Sequence, residues 1–125
     1  MSNAKTTTIL VVDDSRVSRL LSRQFILHNH PDWIIEEAVT GEEAVTKLSS
    51  ISPDLILLDV NMPGMGGLAA VVKLREISPE IPICLMTANV QDATREKAHN
   101  LGVQFAEKPI TQARIDHVIA QLENA

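Results

Sequence analysis

The chain is 125 residues long, carries a net charge of −5 and has one cysteine, Cys84. This length fits a single domain that buries enough apolar surface to fold without disulfides. The excess of 16 acidic over 11 basic residues argues against nucleic-acid binding by this domain, because contacts to phosphates need a basic face. The longest apolar runs, of four or five residues, are far too short to cross a membrane. We expect one cytoplasmic domain over residues 1–125, with residues 1–6 disordered or derived from a cloning tag.

Short apolar runs alternate with helical stretches, which is typical of repeated strand–helix units and a parallel sheet. The first strand is predicted over residues 7–12. The first helix is predicted to begin near Asp14 or Ser15 and to end at residues 28–31, because Pro31 disfavours helix in the residue before it. Helical spacing predicts a buried face made of Val17, Leu20, Leu21, Gln24 and Phe25.

The second strand, predicted over residues 33–38, carries Glu36 and Glu37 and is therefore expected at an edge of the sheet. Thr40 and Glu43 have the spacing of a capping box, which predicts a second helix from there to about residue 49. The third strand is predicted to end at Asp59, and a glycine-rich loop leads from it to a third helix over residues 68–77.

The second half of the chain continues the alternation, with strands predicted over residues 83–87 and 103–107. The fourth helix, over residues 92–100, has few large apolar residues and is expected to be short and weakly held, with Gly102 just beyond its end. The fifth helix, over residues 111–123, is expected to face the sheet with Ile115, Val118, Ile119 and Leu122. The pattern predicts an α/β fold: a doubly wound five-stranded parallel sheet with five helices. We expect a flavodoxin-like three-layer sandwich with the strand order 2-1-3-4-5, which is one of the two common doubly wound orders.

Four of the five predicted strands end at, or just before, residues of types that bind metal ions or phosphate. The first strand runs into Asp13 and Asp14, the third ends at Asp59, the fourth ends at Thr87, and the fifth is followed by Lys108. The carboxyl ends of parallel strands share one edge, where ligands bind in open α/β sheets. The sequence therefore predicts that these five side chains converge on one crevice.

Three carboxylates in one crevice repel one another, so a proton or a cation must compensate them. Oxygen ligands suit Mg²⁺, which takes few protein ligands and keeps several waters. Asp14, Asp59 and one backbone carbonyl would supply the protein ligands, with Asp13 binding directly or through water. Lys108 can pair with a carboxylate at rest or with a phosphoryl oxygen after a transfer, and Thr87 offers a hydroxyl to the same crevice.

Four segments of the chain resemble, in order and spacing, the signature segments of the response-regulator receiver domain of two-component signalling. They are Val12-Asp13-Asp14, Leu58-Asp59-Val60-Asn61-Met62-Pro63-Gly64-Met65-Gly66-Gly67, Met86-Thr87-Ala88 and Phe105-Ala106-Glu107-Lys108-Pro109. The resemblance extends over residues 7–123. It implies a signalling phosphoacceptor rather than an enzyme, one that assists its own phosphorylation and slow autodephosphorylation.

The resemblance also implies a role for each acidic residue. Asp59 would take a phosphoryl group from a phosphohistidine of a sensor histidine kinase or a histidine phosphotransfer protein. Asp13 and Asp14 would position Mg²⁺, for which Mn²⁺ is a possible substitute. Asp59 itself and the backbone carbonyl of Asn61 would be further metal ligands.

Thr87 and Lys108 would bind the phosphoryl oxygens, and a cis Lys108–Pro109 bond would aim the lysine inward. After phosphorylation Thr87 would move toward the new group, and Phe105 would rotate into the space it leaves. The surface formed by the fourth helix, fifth strand and fifth helix would then change. It would control a downstream protein or an output domain absent from this chain, or form a dimer.

Three other functions were weighed against this one. A haloacid-dehalogenase-type phosphohydrolase needs an acid two residues after its nucleophile, where this chain has Asn61. A flavin-binding protein needs a phosphate-binding loop after the first strand, where Asp13-Asp14 is electrostatically unsuited. A receiver-like interaction module that works without phosphorylation would have lost Asp59, Lys108 or the acidic pair, and all of them are present. The chain fits both a stand-alone regulator and a piece of a longer protein.

Overall fold

A computed structural model describes residues 6–60, 64, 66–88 and 92–123. In chain order the elements are β1 (Thr8–Val12), α1 (Arg16–Asn29), β2 (Ile34–Ala38), α2 (Gly41–Lys47), β3 (Leu55–Asp59), α3 (Gly67–Ile77), β4 (Ile83–Thr87), α4 (Asp92–Asn100), β5 (Gln104–Glu107) and α5 (Gln112–Glu123). The strands form one parallel sheet in the order β2-β1-β3-β4-β5. The predicted α/β fold and strand order are confirmed.

The central strands β1, β3 and β4 are apolar except at Thr8, Asp59 and Thr87, which lie at their ends, because both faces of the sheet are covered. Successive side chains of a strand point to opposite faces, so each strand contributes to two separate clusters. Leu10, Ile56 and Leu85 lie in one cluster, and Ile9 and Leu57 lie in the other. This two-sided burial explains why the strands read as continuous apolar runs instead of alternating with polar residues.

The helices divide between the two faces and complete three layers. α2, α3 and α4 cover one face, and the buried residues that they contribute are Ala44, Ala70, Val71, Leu74 and Ala98. α1 and α5 cover the other face, with the buried residues Ile26, Ile115, Val118 and Ile119. Among the described residues, no helix has the length and apolar character that a membrane span requires.

Several local predictions are confirmed. β2 lies at an edge of the sheet, and α5 faces the core with the residues expected. In the capping box the Thr40 hydroxyl accepts from the amide of Glu43 at 3.0 Å, although the Glu43 carboxylate accepts from the amide of Val39 rather than from that of Thr40. Gly102 ends α4 with a φ of +69°, a conformation that glycine adopts without strain.

The predicted buried face of α1 is largely wrong. Val17, Leu20 and Leu21 are 67%, 51% and 38% exposed, and Gln24 is exposed as well, while Phe25 packs partly against the core. The residues that point inward form a different face, made of Arg19, Ser22 and Ile26. Hydrophobic spacing mispredicted this face because the first turn of α1 turns Arg19 inward, where it contacts Asp13 and Glu37 and not the apolar core.

Cys84, the second residue of β4, is buried, as expected of a small hydrophobic residue. Burial raises the pKa of its thiol to about 12, because the apolar surroundings disfavour the charged thiolate. The thiol is therefore neutral at physiological pH and has no nucleophilic role.

Gly67, the first residue of α3, packs directly against the backbone that follows β3. A Cβ at this position would lie 2.6 Å from the carbonyl oxygen of Asp59 and 2.6 Å from the Cα of Val60. The amide of Gly67 donates to the carbonyl of Val60 at 3.0 Å. Only a residue without a side chain lets α3 begin this close to Asp59.

We predict that Gly67→Ala destabilises the protein by about 1–3 kcal/mol, since the added methyl group overpacks the contact. In a helix interior the same change is ordinarily favourable by ~1 kcal/mol, so the sign is diagnostic. Urea unfolding measures the free energy, and amide chemical shifts should change most at residues 59 and 60. Gly66→Ala is the control: it is costly through its φ of +79° but meets nothing within 4 Å. A stabilised Gly67→Ala protein would contradict the close packing described above.

Candidate functional site

The carboxyl ends of β1, β3 and β4 lie side by side in the sheet. Asp13 follows β1 directly, and its amide donates to the carbonyl of Ala38 at 3.1 Å, which extends the β1–β2 ladder by one residue. Asp59 is the last residue of β3 and pairs in register with Met86. Thr87 ends β4 one position further on. Parallel pairing in this register brings the predicted residues to the same edge.

Asp13, Asp14 and Asp59 form one acidic cluster. Each offers a carboxylate oxygen, and these oxygens lie within 4.8 Å of one another. Asp13 and Asp59 are only 1% and 5% exposed, whereas Asp14 is exposed at the rim. Buried carboxylates are costly unless donors or opposite charges surround them.

Both carboxylate oxygens of Asp13 are engaged. Oδ1 accepts from the amide of Ser15 at 2.9 Å, and Oδ2 accepts from the ammonium of Lys108 at 3.0 Å. Ser15 is also the N-cap of α1, since its hydroxyl accepts from the amide of Ser18 at 3.2 Å. The start of α1 and the position of the Asp13 carboxylate are therefore fixed by the same short turn.

Lys108 connects the acidic cluster to β5. Its Nζ lies 3.0 Å from Asp13 Oδ2 and 3.6 Å from Asp59 Oδ1. Its amide donates to the carbonyl of Thr87 at 2.7 Å, which fixes the backbone beside the end of β4. The Lys108–Pro109 peptide bond is cis, as the resemblance implies. Thr87 is buried next to this contact.

The charges at the site favour a divalent cation. Counted at their formal charges, three carboxylates and one ammonium leave two net negative charges in this crevice. A set of hard oxygen donors suits Mg²⁺ in particular. The acidic residues present therefore fit the metal that the sequence predicted.

Asn61 and Phe105 complete the set of predicted contributors. Asn61, whose backbone carbonyl was expected to be a metal ligand, lies outside the described residues. Phe105 lies in β5 opposite Leu85 and packs partly against the core. It also lines a cavity of about 470 Å³ between β5 and α5. The predicted rotation of Phe105 stays a prediction.

Arg19 belongs to the site although sequence reasoning did not include it. Its Nη1 donates to the backbone carbonyl of Asp13 at 2.8 Å, and its Nε donates to the carboxylate of Glu37 at 2.8 Å. Arg23 lies near the same carboxylate, at 3.6 Å. Arg19 thus ties the backbone of Asp13 to edge strand β2. Hydrophobic spacing carried no signal for Arg19, because Arg19 shares a face with Ser22 and Ile26 and not with the apolar residues that the spacing selected.

An exposed apolar strip lies beside the site on α1. We call Val17, Leu20 and Leu21 the α1 strip. Leu21 also lines a cavity of about 500 Å³ whose wall includes Lys108, with Ser18, Ala88, Pro109 and Ile110. The α1 strip is therefore continuous with the side of the crevice on which the lysine lies.

Comparisons with known proteins identify relatives of this chain. The sensor protein EvgS of Escherichia coli O157:H7 is 36% identical over 116 residues, which are 92% of this chain and 10% of that protein. The nitrate/nitrite response regulator protein NarL of Escherichia coli (strain K12) is 45% identical over 78 residues, which are 62% of this chain and 36% of that protein. The chain thus spans only a part of the length of these relatives.

The fold has close structural neighbours. The chemotaxis protein CheY4 of Vibrio cholerae matches with a TM-score of 0.85 over 94% of this chain and 99% of that one, at 24% sequence identity. Residues 9–120 match the sequence model of the family described as the response regulator receiver domain. Because that match covers most of the chain, this protein belongs to the response regulator receiver domain family.

Proposed function

We propose that this domain is a phosphoacceptor of a two-component or phosphorelay system and that Asp59 takes the phosphoryl group. The observation that carries the proposal is the position of Lys108 Nζ, 3.0 Å from Asp13 and 3.6 Å from Asp59. A single ammonium between two buried carboxylates is suited to exchange one of them for a phosphoryl oxygen.

The three acids differ in ways that favour Asp59 as the nucleophile. Both oxygens of Asp13 accept hydrogen bonds from Ser15 and Lys108, so neither is available for attack without breaking a contact. Asp14 is exposed at the rim, where a new acyl phosphate would contact water. Asp59 lies between the other acids on one side and β4 and β5 on the other.

The transfer forms one bond and breaks one. A carboxylate oxygen of Asp59 attacks phosphorus, the P–N bond of the donor phosphohistidine breaks, and the imidazole leaves with that electron pair. Charge on the equatorial phosphoryl oxygens must be neutralised in such a transfer. Lys108 supplies an ammonium and Thr87 a hydroxyl for this purpose.

Asp13, Asp14 and Asp59 would hold Mg²⁺, or Mn²⁺ in its place, with the backbone carbonyl of Asn61 as a further ligand. When bound, the metal supplies positive charge that screens the carboxylates from the incoming phosphoryl group. The same residues would support slow autodephosphorylation, in which water attacks phosphorus and the carboxylate of Asp59 is released.

The phosphodonor is inferred to be a sensor histidine kinase or a histidine phosphotransfer protein. Similarity to a sensor protein and to a response regulator protein supports this class of partner. A donor that brings an imidazole to Asp59 must cover the rim of the crevice. The α1 strip offers an apolar surface continuous with that rim, so we infer that an apolar face of the donor packs there.

Phosphorylation is proposed to act on the surface made of α4, β5 and α5. Thr87 and Lys108 are the last residue of β4 and the residue after β5, so a group that draws both inward shifts the ends of these strands. Among the described side chains of α4, only Ala98 is buried, and a helix with so few core contacts is easily displaced. A downstream protein, an output domain outside this chain or a second copy would contact this surface.

A receiver fold that acts only as a phosphorylation-independent interaction module is not favoured. Such a module has no use for Asp13 and Asp59, whose burial is compensated by a lysine 95 positions from Asp13 in sequence. Replacing a buried ion pair with apolar residues is often neutral or stabilising, so stability alone does not account for it.

We predict that acetyl phosphate and Mg²⁺ add one phosphoryl group to the protein, because Asp59 reacts with small donors as with protein donors. Intact-mass spectrometry measures the product. Asp59→Asn should show no addition, and chelating the metal with EDTA should abolish it in the wild type. Addition to Asp59→Asn at the wild-type level would exclude Asp59 as the acceptor.

We predict that Leu20→Ser lowers phosphotransfer from an ATP-phosphorylated sensor-kinase core by roughly tenfold to a hundredfold, since a buried apolar contact is worth roughly 1.5–3 kcal/mol. The rate with acetyl phosphate should fall much less, because a small donor needs no docking surface. The exposed residue Val72 on α3 provides a matched control, Val72→Ser. Equal losses with both donors would contradict docking on the α1 strip.

We predict that phosphorylation shifts or broadens amide resonances throughout residues 88–110, since two packings of this region exchange population. Heteronuclear NMR of the protein before and after acetyl phosphate is added measures the change. Phe105→Ala should reduce the effect at the outer face of β5. Shifts confined to residues in contact with Asp59 would contradict a switch.

A further inference from the structure

The loop between β5 and α5 is held by one guanidinium group. Nη1 of Arg114 donates to the carbonyl of Glu107 at 3.0 Å and to the carbonyl of Pro109 at 2.8 Å. Nη1 carries two hydrogens, so it can donate to both carbonyls at once. The two carbonyls flank Lys108, the residue whose ammonium reaches Asp13 and Asp59.

This loop has few other hydrogen bonds to hold it. β5 is an edge strand, so a carbonyl on its outer side has no neighbouring strand to pair with. Pro109 has no amide hydrogen to donate. The amide of Lys108 donates to Thr87, which fixes the inner side of the loop. The Arg114 guanidinium fixes the outer side of the loop through the carbonyls of Glu107 and Pro109.

The guanidinium of Arg114 donates hydrogen bonds to this loop and forms no ion pair with the described residues. Among the described residues, no carboxylate lies within salt-bridge distance of its guanidinium. Its own amide donates to the hydroxyl of Thr111 at 3.1 Å, which fixes the first turn of α5. Both the backbone and the side chain of Arg114 therefore hold the chain between β5 and α5.

We propose that Arg114 is a positioning residue for Lys108: its guanidinium sets the backbone that aims the ammonium at the acidic cluster. The inference rests on the proposed function, in which Lys108 neutralises the phosphoryl group during transfer. Arg114 does not touch the reacting atoms and acts only through Lys108. Its effect on phosphorylation must therefore disappear when the lysine is removed.

The test is a double-mutant cycle on the full chain, with acetyl phosphate and Mg²⁺ as the probe. Arg114→Met keeps the aliphatic stem and removes the donors. We expect it to slow phosphorylation about fivefold to tenfold, since small misplacements of a catalytic group cost this much or more. In a Lys108→Met background the same change should alter the rate less than twofold. An equal slowing in both backgrounds would overturn the proposal.

Two further variants separate hydrogen bonding from charge and general stability. Arg114→Lys keeps the charge and a donor and should retain at least half of the wild-type rate. Lys73→Met removes one exposed positive charge on α3, which covers the opposite face of the sheet from α5, and should leave the rate unchanged. A loss with Lys73→Met as large as that with Arg114→Met would assign the effect to net charge.

A second readout does not require phosphoryl transfer. In the resting protein the amide of Lys108 should have a lower ¹⁵N order parameter in Arg114→Met than in the wild type, and it should be restored in Arg114→Lys. An unchanged order parameter in Arg114→Met would overturn the proposal. If the wild type gains no phosphoryl group, the proposed function fails, while this measurement still decides whether Arg114 positions Lys108.

Discussion

The site depends on the contact of the Lys108 ammonium with Asp13 and Asp59. It joins the ends of β1, β3 and β5, three strands of one parallel sheet. Without this charge, the two buried carboxylates would lose the ammonium that offsets their mutual repulsion. The proposed chemistry uses the same contact, since the ammonium that stabilises the resting acids also neutralises an arriving phosphoryl group. Stability and reactivity therefore share one side chain.

Two arginines support the site from the same face of the sheet. Arg19 on α1 donates to the carbonyl of Asp13, and Arg114 on α5 donates to the carbonyls on either side of Lys108. Both act on backbone next to a charged side chain and not on the side chain itself. Backbone carbonyls at the end of a strand lose their ladder partners, and a long cationic side chain from a neighbouring helix can replace them. This arrangement makes α1 and α5 part of the functional site.

The orientation of α1 follows from the same requirement. Its start lies against the sheet edge, where Arg19 meets Asp13 and Glu37, and only further along does Ile26 reach the apolar core. The apolar residues that hydrophobic spacing assigns to the core then remain outside, as the α1 strip. Exposing them has a free-energy cost, which a partner surface would offset. The α1 strip, which hydrophobic spacing wrongly assigned to the core, thus lies next to the proposed functional site.

The sequence alone determined the α/β class, the strand order and the edge at which the charged residues gather. Apolar runs, turn residues and helix periodicity are local signals, and parallel pairing then brings the strand ends together. Asp13, Asp14, Asp59, Thr87 and Lys108 followed from their positions at those strand ends. Only the tertiary structure decided which face of α1 is buried and which carbonyls the arginines hold. Those outcomes depend on contacts between elements that are distant in sequence, which no local pattern records.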